Sequence, residues 1–326
     1  MKLFLWKICF WPGMNSGRAR KINRMFRTLS LIWKTICFNF IRNWRLKPTI
    51  ISIYNAFSIC DPKPRRIHKA VVHDRVLHHA VFRILYPIFD KGFIFDSYSC
   101  RIGKGTHRAV SRLEKFARKL SKNNHRNIFA LKCDIRKFFD SVGQDILLGL
   151  IKSKIDDNNA IWLIEKIIKS FPIGLPLGNV TSQLFANIYL NELDQFIKHK
   201  LKIKYYLRYC DDFIILDKDR DFLEGLTCRI NAFLSAKLKL SLHSDKIIVR
   251  KYHQGIDWLG YVVLPHHRVL RTKTKKRIFK KIKNRYDDWQ KNLISGRSFN
   301  QGLQSYLGVL KHCRGYNIAK EIRKFI

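Results

Sequence analysis

Acidic residues are what this sequence has least of. Its 326 residues include 24 Asp and Glu against 64 Lys and Arg, a formal charge of +40, and no acid precedes Asp61. A globular protein this cationic repels itself unless a polyanion neutralises it, so nucleic acid is the leading partner and an anionic membrane the second. Paired cysteines of the CxxC kind are absent, and neither the eight Cys nor the His residues fall at zinc-finger spacing. Reduced, mostly buried thiols in a cytoplasmic protein are therefore expected. No apolar run reaches the roughly 20 residues of a membrane span. Lys34 breaks Leu29–Ile41, Lys7 interrupts Met1–Trp11, and no small-residue cleavage site follows, so neither a span nor a secretory signal is expected. Repeats and low-complexity linkers are also missing.

What is present belongs to a folded protein. An apolar content of 46% with 13% aromatics excludes a disordered basic tail, and the length suits one large or two to three small lobes. The charge is concentrated at the ends. Residues 1–60 hold 11 Lys and Arg with no acid, and residues 266–326 hold 17 against Asp287, Asp288 and Glu321. The middle carries nearly all the carboxylates. Flanks that bind a polyanion around an acidic centre suit a metal-dependent enzyme acting on nucleic acid. Periodicity predicts helices over Asp74–Tyr86, Thr106–Ser121 and Thr181–Lys200, the last with a stripe of Leu184, Phe185, Ile188, Leu193, Phe196 and Ile197. Pro62 and Pro64 mark Ser58–Ile67 as extended or hairpin, Tyr98–Gly105 reads as a loop, and the last 56 residues read as helical, punctuated by Gly296 and Gly302.

Three segments carry candidate chemistry. In NIFALKCDIRKFFD (127–140), Phe129, Leu131, Cys133 and Ile135 alternate with Ala130, Lys132 and Asp134, the period of a half-buried strand with Asp134 off its apolar face. A single acid at a strand end is more often a cap than a ligand. In YYLRYCDDFIIL (205–216), two β-prone runs flank Asp211 and Asp212, reading as a hairpin with two acids at its tip. Asp-Asp pairs also occur at 156–157 and 287–288, but only this one lies between strands. Adjacent carboxylates repel unless a divalent cation shares them. In GLPLGNVTSQLFANIYLNELDQFIKHK (174–200), Gly178 and Asn179 form a turn before a helix whose N-terminus can face a phosphate, or serve as ordinary loop-to-helix entry.

The order DIRKFFD, PLGNVTSQ, YCDD, WLGY resembles the palm of reverse transcriptases. The likeness extends from about Phe57 to Ser305. PKPRRI (62–67), DRVLHHAV (74–81) and SYSCRIGKGTHRA (97–109) resemble the fingers of the bacterial enzymes. LKLSLHSDKIIV (238–249) resembles the family's Lys-bearing motif, DWLGYVV (257–263) its primer grip, and SYLGVLKH (305–312) part of its helical thumb. Leu177-Gly178 and Ser182-Gln183, where most members have Gln-Gly and Ser-Pro, are similar to the diversity-generating retroelement type. Before about Phe57 no family motif matches.

The resemblance implies an α+β right-hand polymerase fold: a basic, partly helical extension over 1–56, fingers over 57–130, a palm of antiparallel sheet plus helices over 131–264 with a second finger insertion at about 145–173, and a helical thumb over 265–326. It implies an RNA-directed DNA polymerase with two Mg²⁺, Mn²⁺ substituting, held by Asp134, Asp211, Asp212 and the Ile135 carbonyl. Lys246 would act as general acid to the leaving pyrophosphate. Lys63, Arg65, Arg101, Phe139, Leu177 and Gly178 would contact the dNTP, Phe139 as steric gate against the ribose 2′-hydroxyl. Gln183, Trp258, Leu259, Gly260, Tyr261, Lys275, Lys276, Arg277 and Lys280 would contact template and primer. Implied partners are an RNA template, a DNA or RNA primer, dNTPs and a small basic accessory protein, with no membrane. The alternatives are a related enzyme of phage defence and a catalytically idle nucleic-acid-binding protein on the same scaffold.

Overall fold

A computed structural model describes residues 51–325, residues 52 and 62 excepted. All but the last few residues of the expected extension 1–56, and with them the apolar segment Leu29–Ile41, lie outside the described residues. In chain order the first elements are β1 (Asn55–Ile59), β2 (Arg65–Lys69), α1 (Val72–Asp90), α2 (Thr106–Leu120) and β3 (Phe129–Asp134). Then come α3 (Phe138–Ser141), α4 (Gln144–Lys152), α5 (Asn158–Lys169), α6 (Val180–Gln195), β4 (Tyr206–Tyr209) and β5 (Asp212–Asp217). The chain continues through α7 (Arg220–Phe233), β6 (Ile248–Lys251), β7 (Ile256–Trp258), β8 (Tyr261–Val263) and β9 (Arg268–Leu270) to α8 (Thr272–Gln290), α9 (Gly296–Leu310) and α10 (Tyr316–Phe325). The mixed α+β class expected from the sequence is borne out.

The chain divides into two compact units, each built from two stretches: residues up to Phe93 with Lys137–Glu192, and Ile94–Arg136 with Leu193–Ile326. In the first, β1 and β2 pair antiparallel from Asn55 opposite Lys69 to Ile59 opposite Arg65. The α1 stripe Leu77, Val81, Leu85 and Phe89 is buried at helical spacing, and the helix runs past Pro87 to Asp90. Asp157 caps α5 by accepting from the backbone N–H groups of Asn159 and Ala160, which accounts for that Asp-Asp pair.

In the second unit, four strands in the order β4-β5-β3-β6 form an antiparallel sheet. Helix α7 contacts β3 and β5, while α2 contacts β4 and β5. Phe213, Ile214, Ile215 and Leu216 are therefore all buried, filling both faces of β5. The same holds for Ala130 beside Leu131, so the simple alternation expected of β3 gives way at its start. Strands β7, β8 and β9 form a second sheet. Two helical expectations change. Helix α6 is buried on most sides, Ala186, Asn187, Tyr189 and Leu190 included, and Phe196–Lys200 is a π-helical turn rather than α-helix. Gly302 does not punctuate a helix; it lies inside α9, where a Cβ would come within 2.6 Å of Arg285 Nε, so glycine lets α8 and α9 approach closely.

Candidate active site

The three aspartates meet through strand register. Asp134 ends β3 and pairs directly with Asp212, which begins β5. Strands β4 and β5 are joined by the two-residue turn Cys210-Asp211, with Tyr209 opposite Asp212. Such turns in twisted hairpins require a left-handed residue, usually glycine. Here Cys210 takes that conformation, with φ +55°. The Asp211 carbonyl accepts the Ile135 N–H at 3.3 Å, tying the turn back to the end of β3. All three aspartates are half-buried, while Cys133 is fully buried and burial pushes its thiol up to about 12.

Lys246 completes this cluster. It lies on the segment before β6, and its Nζ donates to Asp134 Oδ1 at 3.0 Å. The general-acid candidate and the first aspartate are thus in direct contact. Among the described residues no three His, Cys, Asp or Glu side chains converge as a finished metal cage. The donor chemistry nevertheless fits Mg²⁺: three hard carboxylates are gathered at one sheet end, and one already holds a cationic ammonium.

The remaining candidates are distributed between the two units. In the first, Lys63 and Arg65 are exposed at the β1–β2 hairpin. The Phe139 ring is half-buried, edge-on to Phe138 at 5.2 Å. The Phe139 carbonyl accepts from Leu175 N–H at 2.7 Å, and a Cβ on Gly174 would come within 2.1 Å of that oxygen, so only glycine fits there. Leu177 and Gly178 lie against β2, the Leu177 carbonyl accepting from His68 N–H at 2.8 Å. Gly178 has φ +116° and sits close to Ile67. Gln183 is exposed on a helix that is otherwise buried around it.

In the second unit, Arg101 is turned inward, its Nη1 donating to the carbonyls of Ile94 at 2.6 Å and Ser97 at 3.1 Å. Trp258 is fully buried in the core and Tyr261 nearly so, while the β7–β8 turn Leu259-Gly260 is half-exposed with φ +51° and +88°. That turn is the accessible part of the tetrapeptide. On α8, Lys276 and Lys280 are exposed, Arg277 is half-buried, and Lys275 pairs with Glu321 at 3.3 Å.

Several residues at these sites were not singled out from sequence, and Asn179 was expected only as a turn former. Arg208 and Asp194 form a fully buried ion pair below the Asp211 turn. Asn179 holds the segment 68–70 through both amide atoms, Oδ1 accepting from Ala70 N–H at 3.3 Å and Nδ2 donating to His68 O at 3.0 Å. His78 Nδ1 lies 2.6 Å from Thr181 Oγ1, and burial lowers its imidazole to about 4. One signal was available: a lone Arg inside the apolar run YYLRYC needs a buried partner.

Residues 61–263 match the family model of reverse transcriptase (RNA-dependent DNA polymerase). Among curated relatives, the chain is 24% identical to protein YkfC of Escherichia coli, covering 65% of each. It is 26% identical to the group II intron-encoded protein LtrA of Lactococcus lactis, covering 63% of this chain and 44% of that one. The chain thus spans less than two thirds of these relatives. Among solved structures, a telomerase from Candida tropicalis bound to a TWJ fragment of telomeric RNA superposes with TM-score 0.55 at 13% identity, over 91% of this chain and 59% of that one, a likeness of fold. With the family model covering more than half of its length, the chain belongs to the reverse transcriptase (RNA-dependent DNA polymerase) family.

Proposed function

We propose that this protein copies RNA into DNA, with Asp134, Asp211 and Asp212 as its catalytic acids. The carrying observation is the register that sets Asp134 opposite Asp212 and ties Asp211 to Ile135. The family generally uses divalent metal ions. The three carboxylates, assisted by the Ile135 carbonyl, would hold two Mg²⁺. When bound, the pair supplies Lewis-acid activation of the primer 3′-hydroxyl and neutralises charge developing on the phosphates. Lys246 then has two tasks: it balances Asp134 before ions bind and donates a proton toward the departing pyrophosphate. Lys63 and Arg65 would hold the triphosphate, joined by Arg101 once its guanidinium leaves the Ile94 and Ser97 carbonyls, while Phe139 would exclude the ribose 2′-hydroxyl. Leu177, Gly178 and Gln183 would meet the nascent pair and template. Leu259 and Gly260, supported by buried Trp258 and Tyr261, would position the primer. Lys275, Lys276, Arg277 and Lys280 would grip backbone phosphates. On this reading residues 57–130 act as fingers, 131–264 as palm with a finger insertion at about 145–173, and 265–326 as thumb, with 1–56 a basic extension. No described helix is long and apolar enough to cross a membrane.

The finer reading is a diversity-generating retroelement enzyme working with a small basic accessory protein, supported by Leu177-Gly178 and Ser182-Gln183. Primer extension on a defined RNA with Mg²⁺ tests both levels. Asp211→Ala with Asp212→Ala should lower incorporation at least about a thousandfold. Equal background incorporation in the wild type and that variant would end the polymerase reading. Faithful copying at template adenines would end the diversity-generating one.

A further inference from the structure

Arg208 is the most deeply buried cation among the described residues, and it lies directly beside the Cys210-Asp211 turn. It projects from β4, three residues before Asp211, with side-chain exposure of 0%, as has its partner Asp194. Its fork is bidentate: Nε donates to Asp194 Oδ1 at 2.8 Å and Nη2 to Oδ2 at 2.6 Å. Asp194 is further fixed by the Tyr206 hydroxyl at 2.7 Å, and Nη2 also reaches Ser97 Oγ at 3.1 Å. The remaining arm, Nη1, donates to the Cys210 carbonyl at 3.1 Å. The main chain of Arg208 is held too, its N–H donating to Asp96 O at 3.0 Å and its carbonyl accepting from Tyr98 N–H at 2.9 Å.

A buried ion pair adds little to stability compared with well-packed apolar residues, so the pair joining Arg208 of β4 to Asp194 at the end of α6 calls for another role. The Cys210 carbonyl supplies one. Cys210 is the left-handed residue of the Asp211 turn, and an unsupported non-glycine residue there can relax to an ordinary φ, swinging the next side chain away. A guanidinium held by three other hydrogen bonds, two to Asp194 and one to Ser97, fixes that carbonyl and therefore the direction in which Asp211 leaves the turn. Lysine has a single ammonium and cannot reproduce the fork.

We infer that Arg208, locked by Asp194 and Ser97, is a positioning residue that sets the Cys210-Asp211 turn for divalent-cation binding. The inference rests on the metal site proposed above at the three aspartates.

The test is Mn²⁺ binding to the purified full chain without nucleic acid, followed by electron paramagnetic resonance, alongside thermal unfolding. Wild type should show Mn²⁺ binding that Asp211→Asn with Asp212→Asn removes; if that binding is unchanged, the metal-site reading fails. Given that loss, Arg208→Lys should keep a melting temperature within a few degrees of wild type yet weaken Mn²⁺ about tenfold or more. The half-saturating Mg²⁺ for primer extension should rise in parallel. Arg268→Lys, a substitution in a pair remote in sequence from the turn (Arg268–Glu114, 3.5 Å), should leave Mn²⁺ affinity unchanged. A folded Arg208→Lys that binds Mn²⁺ like wild type overturns the inference, whatever its activity. Should Arg208→Lys not fold, Ser97→Ala decides instead. It removes one anchor and leaves both charges, so about a twofold loss is expected and no loss overturns.

Discussion

Two hairpins of the second unit solve the same geometric problem with different materials. Strands β4 and β5 are joined by Cys210-Asp211, and β7 and β8 by Leu259-Gly260, both two-residue turns. Each places a non-glycine residue in left-handed backbone, Cys210 at φ +55° and Leu259 at +51°. The first hairpin is anchored by charge, through Arg208 and Asp194. The second is anchored by packing, through fully buried Trp258 and by Tyr261, whose hydroxyl lies 3.3 Å from His107 Nδ1. His107 in turn stacks on His312 with centroids 3.7 Å apart. The difference teaches what each turn must present. A turn that displays carboxylates needs a fixed carbonyl beneath it, whereas a turn that displays an apolar side chain needs only a stiff floor.

The charged anchor should give the largest stability effect. Asp194→Ala leaves Arg208 buried without its anion, and the expected loss is about 3–5 kcal/mol by chemical denaturation. Burial alone would lower the pKa of Arg208, but Asp194 outweighs it and holds the guanidinium protonated, so this loss should be the same from pH 6 to 8. The packed anchor should respond less. Trp258→Phe keeps an aromatic floor and removes a buried indole N–H that has no protein partner, so about 1–2 kcal/mol is expected. If Trp258→Phe costs more than Asp194→Ala, the two hairpins are not anchored as described.

The same contrast governs what sequence could reveal. Alternation in NIFALKCD marks β3 and the two β-prone runs of YYLRYCDDFIIL mark β4 and β5, because strand patterns are local; the three aspartates are singled out by the resemblance to reverse transcriptases. The supports were hidden because their partners are distant. Asp194 lies 14 residues before Arg208 on the end of a helix whose apolar stripe gave no reason to notice an acid. The resemblance to the primer grip puts Trp258 among the primer contacts, yet the strand before the Leu259-Gly260 turn faces the core. Asn179 looked like a turn former, while its amide in fact bonds the chain 109–111 residues away. Local patterns and family motifs locate the candidate chemical groups; the groups that hold them depend on tertiary contacts.

Acid should separate the hairpins further. His107 is lowered from the ordinary value of 6.5 by burial first, then by His312 and Arg268. A base whose folded pKa is depressed stabilises the fold fully above its unfolded value and loses that contribution as the pH falls through it. Thermal stability should therefore decline below about pH 6.5 in wild type, and less steeply in His107→Gln. The Arg208 side has no such dependence, so the Asp194→Ala deficit should not shrink over the same range down to pH 6. A deficit that tracked His107 instead would mean that one shared network anchors both turns.

The smallest effect is the most discriminating about strain. Leu259 and Gly260 both have positive φ, the arrangement that Asn-Gly satisfies most easily. Leu259→Asn relieves that strain but gives up the contact the half-buried leucine makes with the core, so its stability should stay within about 0.5–1 kcal/mol of wild type. Cys210→Gly relieves a similar φ but gives up a half-buried thiol and loosens the Asp211 turn, so its stability should stay near wild type while Mn²⁺ binding weakens. The two substitutions thus relax the same backbone conformation and should part company in function. Leu259→Asn should raise the KM for primer and leave Mn²⁺ affinity untouched, whereas Cys210→Gly should do the reverse. Were Leu259→Asn both more stable and equal in primer KM, the leucine would have no part in holding the primer, and the strain at that turn would have no functional counterpart.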